Sequence, residues 1–302
     1  ILDPTDAPAV GDQTPTPRKC PVCDNETLRP IDAREPKGFF TNMRPRDFDG
    51  YFEWTPRSTR PTLSIRHETA NSVQVRNAVV SAFEDDILSI NDNGGEGGFD
   101  FQQATVFDQE RPGAYAVSPE SDYVTVSGKA HRIALLSRRR TDVLLVDILD
   151  WPQGVFADPL TVEGRAAWYS FAFLLRSASS AQVDIDPTEF DAGFRSLARD
   201  GRPIGQAFLC DNLENGAGYS RWLGEPENFR QLLNQTNPSA SGSTASLWLE
   251  ASHHHTCDTS CNRCLRDFYN LSYHGLLDWR LALDMARLAT SSSAAIDLVT
   301  LW

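Results

Sequence analysis

Lysine is almost missing from this chain: three occur among 302 residues, at Lys19, Lys37 and Lys129, so nearly all of the 28 basic side chains are arginine. A phosphate loop of the G-x-x-x-x-G-K-[ST] type needs a lysine to reach the phosphates, and none of the three follows such a glycine pattern. A DExH box is absent as well. The chain is not expected to hydrolyse ATP by itself. "VDILDW" at 146–151 has the look of a strand ending in an acid beside a nucleotide, but without the lysine loop it reads as a buried strand. Arginine suits bidentate contacts to phosphate or carboxylate, although a compositional bias of the source genome gives the same count.

Long apolar runs are equally scarce. The longest nearly uncharged one, Ala166 to Leu175, is about half of the roughly 20 residues that a bilayer crossing needs. No basic segment followed by an apolar one opens the chain, which points to a soluble, cytoplasmic protein with no membrane partner. Cysteine is too thin, six in all, for a disulfide scaffold, and five of the six fall into two tight clusters, which favours metal over disulfide. The sixth, Cys210 in "AFLCDN", reads as a core residue. No internal repeat of 20–50 residues is found. A net charge of -13 argues against a protein that coats nucleic acid along its whole surface, since phosphate binding needs local positive potential.

What is present divides into an opening segment and two halves. Residues 1–18, "ILDPTDAPAVGDQTPTP" and onward, have no hydrophobic period and read as a linker, as if this were the back part of something longer. Residues 19–155 are expected to form a β-rich domain that opens on "KCPVCD". Between about 62 and 151, Val, Ile, Thr and aromatic residues alternate with polar ones, broken by Gly and Asn clusters, as in a mostly antiparallel sheet or small barrel. "NDNGGEGG" is its clearest hairpin or bulge. Residues 156–302 are expected to be mainly helical. Ala167, Phe171, Leu174, Leu175 and Ala178 share a face near 162–178. Asp186 and Pro187 are placed to start a helix that buries Phe190, Phe194 and Leu197, and Glu225 and Pro226 one that buries Phe229, Leu232 and Leu233. "NPSASGSTAS" at 237–246 reads as a flexible loop, and 277–290 as the last strong helix. The fold class is thus α+β, a β-rich domain followed by a helical one.

The cysteines suggest what joins the halves. Cys20 and Cys23 form one C-x-x-C knuckle, and Cys261 and Cys264 another. Two such knuckles supply four thiolates for one tetrahedral zinc, because the two-residue spacer lets one tight turn aim both sulfurs at the metal. Cys257 and the run His253, His254, His255 compete for the same centre. A rival, local set is Cys257, Cys261 and Cys264 with a fourth ligand from His255, His274 or an N-terminal cysteine. Spacing leaves both open. A catalytic zinc keeps an open position and a nearby base, and no H-E-x-x-H occurs, so the site is expected to be structural.

Other chemistry is more weakly signalled. Gly216 and Gly218 precede a helix start, where backbone N–H groups hold phosphates in some proteins; a tight turn with Tyr219 and Trp222 in the core is the simpler reading. Asp184, Asp186, Asp211 and Glu214 are the acids from which a two-metal nuclease centre would have to be built, although Asp186 already has a capping role. For DNA contact, Arg138, Arg139 and Arg140 form the densest basic run, with Arg132 nearby, while Arg44 and Arg46 lie beside "REPKGFF", whose aromatics are suited to stacking on bases. The alternative for the arginine run is a solvated surface that neutralises acidic neighbours.

"LCDNLENGAGYSRWL", "CDTSCNRCLRDFYN" and "HGLLDWRLALDMARL" resemble the MZB zinc-binding domain that closes several DExH-type helicases and their relatives, over about 170–290. With "CPVC", "REPKGFFTN" and "ILSINDNGGEGGFDF", most of the chain resembles DrmB, the helicase-associated component of the DISARM phage-defence system. The resemblance implies a non-catalytic, zinc-binding subunit that assists DNA binding by a partner SNF2/DExH-type ATPase, a DrmA-like helicase subunit, or else the C-terminal part of one large helicase. The family's usual fourth cysteine falls at Asn270 here. That departure leaves the local set short of one ligand and directs the search to the N-terminal knuckle.

Overall fold

The computed structural model describes residues 19–26, 28, 30–36, 61–63, 71–106, 109–116, 124–294 and 296; Arg44 and Arg46, with most of "REPKGFF", lie outside them. The first half builds strands β1 (Ala33–Arg34), β2 (Thr62–Leu63), β3 (Val73–Val75), β4 (Ala78–Asn91), β5 (Phe99–Val106), β6 (Gln109–Ala116) and β7 (Val124–Ile148). All pairings are antiparallel except that of β1 with β7. The 25-residue β7 is the axis of the sheet. Its first part pairs with β5, from Val106 opposite Val124 to Phe99 opposite Ile133, and its second with β4, from Asn91 opposite Leu135 to Ala78 opposite Ile148.

It follows that β4 and β5 run in the same direction and pair with successive stretches of β7, not with each other. "NDNGGEGG" is therefore a connection between two strands that each pair with β7 and not a hairpin between antiparallel neighbours. Gly98 closes it with φ +128°, and a β-carbon there would lie 2.4 Å from the backbone of Ile133. Only glycine allows the chain to rejoin β7 at that distance.

The second half begins with α1 (Val162–Val183). Thr161 caps it by accepting from the Gly164 N–H, Glu163 favours its first turn, and Asp184 ends it in the left-handed region at φ 55°. Trp168, Phe171, Phe173, Leu174 and Leu175 are all fully buried on this helix, each stabilising the fold by about 1.5–3 kcal/mol over an exposed position. Such all-round burial is the mark of a central helix.

The expected helix after Asp186 does not form. Asp186 caps only a 3-10 turn, Pro187–Glu189, by accepting from the Thr188 N–H. The chain then enters β8 (Phe190–Arg199) and returns as β9 (Arg202–Asp211). Asp200 and Gly201 join them with φ 51° and 72°, the two positive values that a tight hairpin turn requires. Strand β9 pairs with β7 from Val143 opposite Cys210 to Val146 opposite Ala207, so this hairpin belongs to the same sheet. Gly205 makes room for Trp168, whose ring would lie 2.3 Å from a β-carbon at that position.

Five further helices follow: α2 (Tyr219–Leu223), α3 (Pro226–Gln235), α4 (Thr244–Trp248), α5 (Ala251–His254) and α6 (Trp279–Thr290). Helix α3 begins at Pro226 and buries Phe229, Leu232 and Leu233 as the periodicity predicts. The expected loop at 237–246 ends earlier, because Ser243 accepts from the Ser246 N–H and caps α4. Trp222, expected in the core, is 41% exposed.

The molecule is α+β, with a large antiparallel sheet and a helical C-terminal part. One apolar cluster joins Val75, Val80, Leu144 and Val146 of the strands to Trp168, Phe171, Leu283 and Leu288 of the helices, so packing is continuous across the boundary expected near residue 155. Val143, Leu145, Phe208 and Cys210 form a smaller cluster with Leu63 and Ile87, and Cys210 is a core thiol pushed well up by burial. Among the described residues no helix is long and apolar enough to cross a membrane.

Candidate metal centre

Helix α5 is a single turn that ends in the histidine run. Position 253 faces inward and is 3% exposed, while His255 is exposed and packs on His254 at 5.0 Å. The Cys257 N–H donates to the His253 carbonyl at 2.9 Å, which continues the turn and brings the i, i+4 pair to one side. After the bend at 258–260, Cys261 and Cys264 form a compact knuckle. The Cys261 N–H points at the Cys264 sulfur, 3.1 Å away, and the Arg263 N–H at the Cys261 sulfur, 3.4 Å away.

One donor atom from each of His253, Cys257, Cys261 and Cys264 lies within 4.8 Å of all the others. The Cys257 and Cys264 sulfurs are 3.8 Å apart and those of Cys264 and Cys261 3.9 Å. Ligands about 2.3 Å from a tetrahedral ion are separated by roughly 3.8 Å, so these spacings are those of a shared metal rather than of a disulfide. All six cysteines are free thiols.

The histidine provides an independent test. Its Nδ1–H donates to the Trp248 carbonyl at 2.8 Å, which leaves Nε2 as the acceptor, and Nε2 is buried without a hydrogen-bond partner. A buried ring nitrogen without a partner is costly, whereas an imidazole held through its other N–H by a carbonyl is the usual posture of a metal ligand. Trp279, at the start of α6, packs edge-on against His253 with ring centres 5.5 Å apart, and its indole N–H donates to the Cys257 carbonyl at 3.1 Å. The first residue of the last helix thus braces two ligands at once. The group can hold a metal ion, and its residues fit one.

The other candidate ligands are placed elsewhere. His274 Nε2 is 2.8 Å from Asn270 Oδ1 and 3.1 Å from the Asp267 carbonyl. Asn270, where the resemblance implies a cysteine, donates to the Leu265 carbonyl at 2.7 Å and closes a capping box with Asp267. Cys20 and Cys23 form their own turn, with the Asp24 N–H donating to the Cys20 carbonyl at 2.9 Å, and neither belongs to the four-residue group. The fourth donor comes from the N-terminal side of the three cysteines, His253, the first residue of the histidine run.

Electrostatics set the cost of loading the group. Burial, then the neighbouring Cys261 thiol, pushes Cys257 up to about 11, and burial pushes Cys264 up further. Cys261 is lowered, because the Arg263 amide and the two neighbouring thiols outweigh its burial. Near neutral pH the Cys257 and Cys264 thiols hold protons that a metal must displace. Apparent zinc affinity should therefore rise with pH, by about tenfold per pH unit for each proton released and so by at least about 100-fold per pH unit. Competition titrations against a chelating indicator between pH 6.5 and 7.5 measure this, and a slope of one proton or less would contradict the assignment.

No protein-family model matches the chain. It is similar to the Druantia protein DruE of Escherichia coli (strain UMEA 4076-1), 29% identical in an alignment 237 residues long that covers 69% of this chain and 12% of that protein. The chain therefore spans about an eighth of the curated relative it matches. Among solved structures it is similar to that of the DUF1998 helicase MrfA bound to DNA, with TM-score 0.42 and 11% identity, over 76% of this chain and 25% of that one.

Of the arginines singled out in the sequence, the four among the described residues are engaged with acids. Arg132 binds both carboxylate oxygens of Asp100, each at 3.0 Å, and Arg138 lies 3.8 Å from Asp86. Arg139 pairs with Asp191 at 2.6 Å and Arg140 with Glu84 at 3.3 Å. The strand β7 brings them together in sequence order, and the register of the sheet supplies each with a carboxylate. The acids that a nuclease would need are not gathered: among the described residues the histidine–cysteine group is the one cluster of three or more metal-type donors. Asp211 accepts from the backbone N–H groups of Ala217, Tyr219 and Ser220 at 2.8, 3.0 and 2.9 Å. The helix start after Gly218 already holds an anion, and it is the protein's own.

Proposed function

We propose that this chain is a non-catalytic, zinc-riveted accessory region of a defence-associated, helicase-type protein, which helps to present DNA to an ATPase. The observation that carries the reading is the His253, Cys257, Cys261 and Cys264 group, four donors within 4.8 Å of one another in the segment that resembles the MZB domain. Three sulfurs and one imidazole in a closed set suit a structural zinc and leave no position for a reacting water. The absence of a lysine phosphate loop assigns ATP hydrolysis to another polypeptide or to another part of the same one.

Similarity to DruE supports a place within a larger protein, since the matched residues are 12% of that chain. Under this version the ATPase is joined in cis. In the version in trans, the partner is a separate DNA-translocating subunit of the DrmA-like kind. Either way the metal holds the surface that the ATPase and DNA meet. The test uses the complete protein or complex. Cys264→Ser is expected to leave basal ATP hydrolysis intact and to abolish its stimulation by DNA, while the chain alone hydrolyses no ATP. Undiminished stimulation in a variant that has lost its zinc would overturn the reading.

A further inference from the structure

The chain leaves the metal group through a 3-10 turn, Phe268–Tyr273. Phe268 is 77% exposed and Tyr269 71%, the highest values among the large apolar side chains described, and Leu271 follows at 55%. The two rings stand edge to face, 5.5 Å between centres. Their backbone is firmly held. Asp267 accepts from the Tyr269 and Asn270 N–H groups at 2.7 and 2.9 Å and forms an ion pair with the buried Arg176. A pair of aromatics fixed in place yet covered by nothing in the described molecule is costly to keep exposed unless it meets something.

The charges beside it point to the occupant. Arg263 donates to the Ser252 carbonyl at 2.8 Å and the Thr256 hydroxyl at 2.7 Å, and Arg266 to the Ser260 hydroxyl at 2.8 Å. These partners are neutral, and among the described residues neither arginine forms an ion pair with a carboxylate. Both line an open groove with Thr256, Cys261 and Asn262. Three thiolates on a divalent ion leave one negative charge, which the two guanidinium groups lining the groove exceed by one. On a chain of net charge -13, such a spot is where a polyanion would be tolerated. Arginines on β7 would first have to give up their carboxylates; these two would not.

We propose that Arg263, Arg266, Phe268 and Tyr269 form a contact site for single-stranded nucleic acid, the arginines taking backbone phosphates and the two rings stacking on unpaired bases. This rests on the DNA-presenting role proposed above and adds to it the strand type and the residues. A duplex keeps its base faces hidden, so the exposed rings select for the unpaired form.

The test is fluorescence anisotropy of a labelled oligothymidylate with the zinc-loaded chain across a range of salt concentrations. Replacing both rings, Phe268→Ala with Tyr269→Ala, is expected to weaken binding by roughly 5- to 150-fold for each base that stacks, with melting, zinc content and salt dependence unchanged. Arg263→Gln with Arg266→Gln should lower the salt slope by about 0.7 for each phosphate lost. Unaltered affinity in the ring variant overturns the site. So does a zinc-loaded wild-type chain that binds no oligothymidylate, in which case the rings face a protein partner; DNA-stimulated ATP hydrolysis that still depends on Cys264 would then leave the accessory role standing.

Discussion

Cys264→Ser is expected to strip the chain of its metal and to lower its melting temperature by roughly 5–10 °C. A structural zinc couples its binding energy to folding, and in a chain of 302 residues each kcal/mol lost corresponds to about 2 °C, the low end of the range for domains of about 150–250 residues. The reason for so large an effect lies in what surrounds the group. Cys257, Cys264, Leu265, Tyr273, Leu277 and Trp279 all belong to the main apolar cluster, so the loop that carries the ligands is also a wall of the core. Without the ion, the buried Nε2 of His253 and the two raised thiols remain uncompensated, and Trp279 loses the neighbours that α6 needs at its first residue. His253→Ala should behave like Cys264→Ser in both metal content and melting. Cys20→Ser with Cys23→Ser should retain the ion bound by the other four. Elemental analysis of the purified variants decides between the local and the upstream ligand sets; loss of zinc from the N-terminal pair with retention by His253→Ala would reverse the assignment.

That choice was partly legible in the sequence. His253 and Cys257 stand four apart, a spacing that puts two side chains on one side of a helical turn, but the symmetry of two C-x-x-C knuckles offered a competing and chemically sound tetrad. What the spacing does not contain is the direction of the Trp248 carbonyl, which fixes the tautomer of His253 and frees its other nitrogen. Helices α1, α3 and α6 were visible because each carries a long run of one period. Strand β8 was not, because Phe190, Phe194 and Leu197 satisfy the helical spacing while Phe190, Ala192 and Phe194 satisfy the alternating one. The Asp200–Gly201 dipeptide between two apolar runs was the stronger local signal and favours the strand. For the arginines, the sequence displays the cations, but their partners Glu84, Asp86, Asp100 and Asp191 come from three other strands. Only the register of a folded sheet reveals that pairing.

Asp211→Ala is expected to cost about 3–5 kcal/mol, the second largest effect, and it separates two accounts of the same carboxylate. Asp211 is fully buried at the end of β9, and its two oxygens receive three backbone N–H groups from 217 to 220. Hydrogen bonds to a charged acceptor contribute about 1.5–3 kcal/mol each, and buried donors left without one carry the full penalty of desolvation. Gly216 lies so close to the Asp142 carboxylate that a β-carbon would sit 2.4 Å from its oxygen, and the same Asp142 binds Arg221 of α2 at 2.6 Å. The loop therefore has little room to re-form around a lost anchor. Asp211→Asn should fall between alanine and wild type, since the amide keeps one acceptor oxygen but turns an NH2 group toward a donor. A metal-dependent nuclease would show the opposite pattern, with both substitutions ending cleavage and asparagine leaving the fold intact. Urea denaturation of the three proteins, read as a shift in midpoint at constant slope, measures the difference, and an alanine variant as stable as wild type would remove Asp211 from its role as the clasp of this loop.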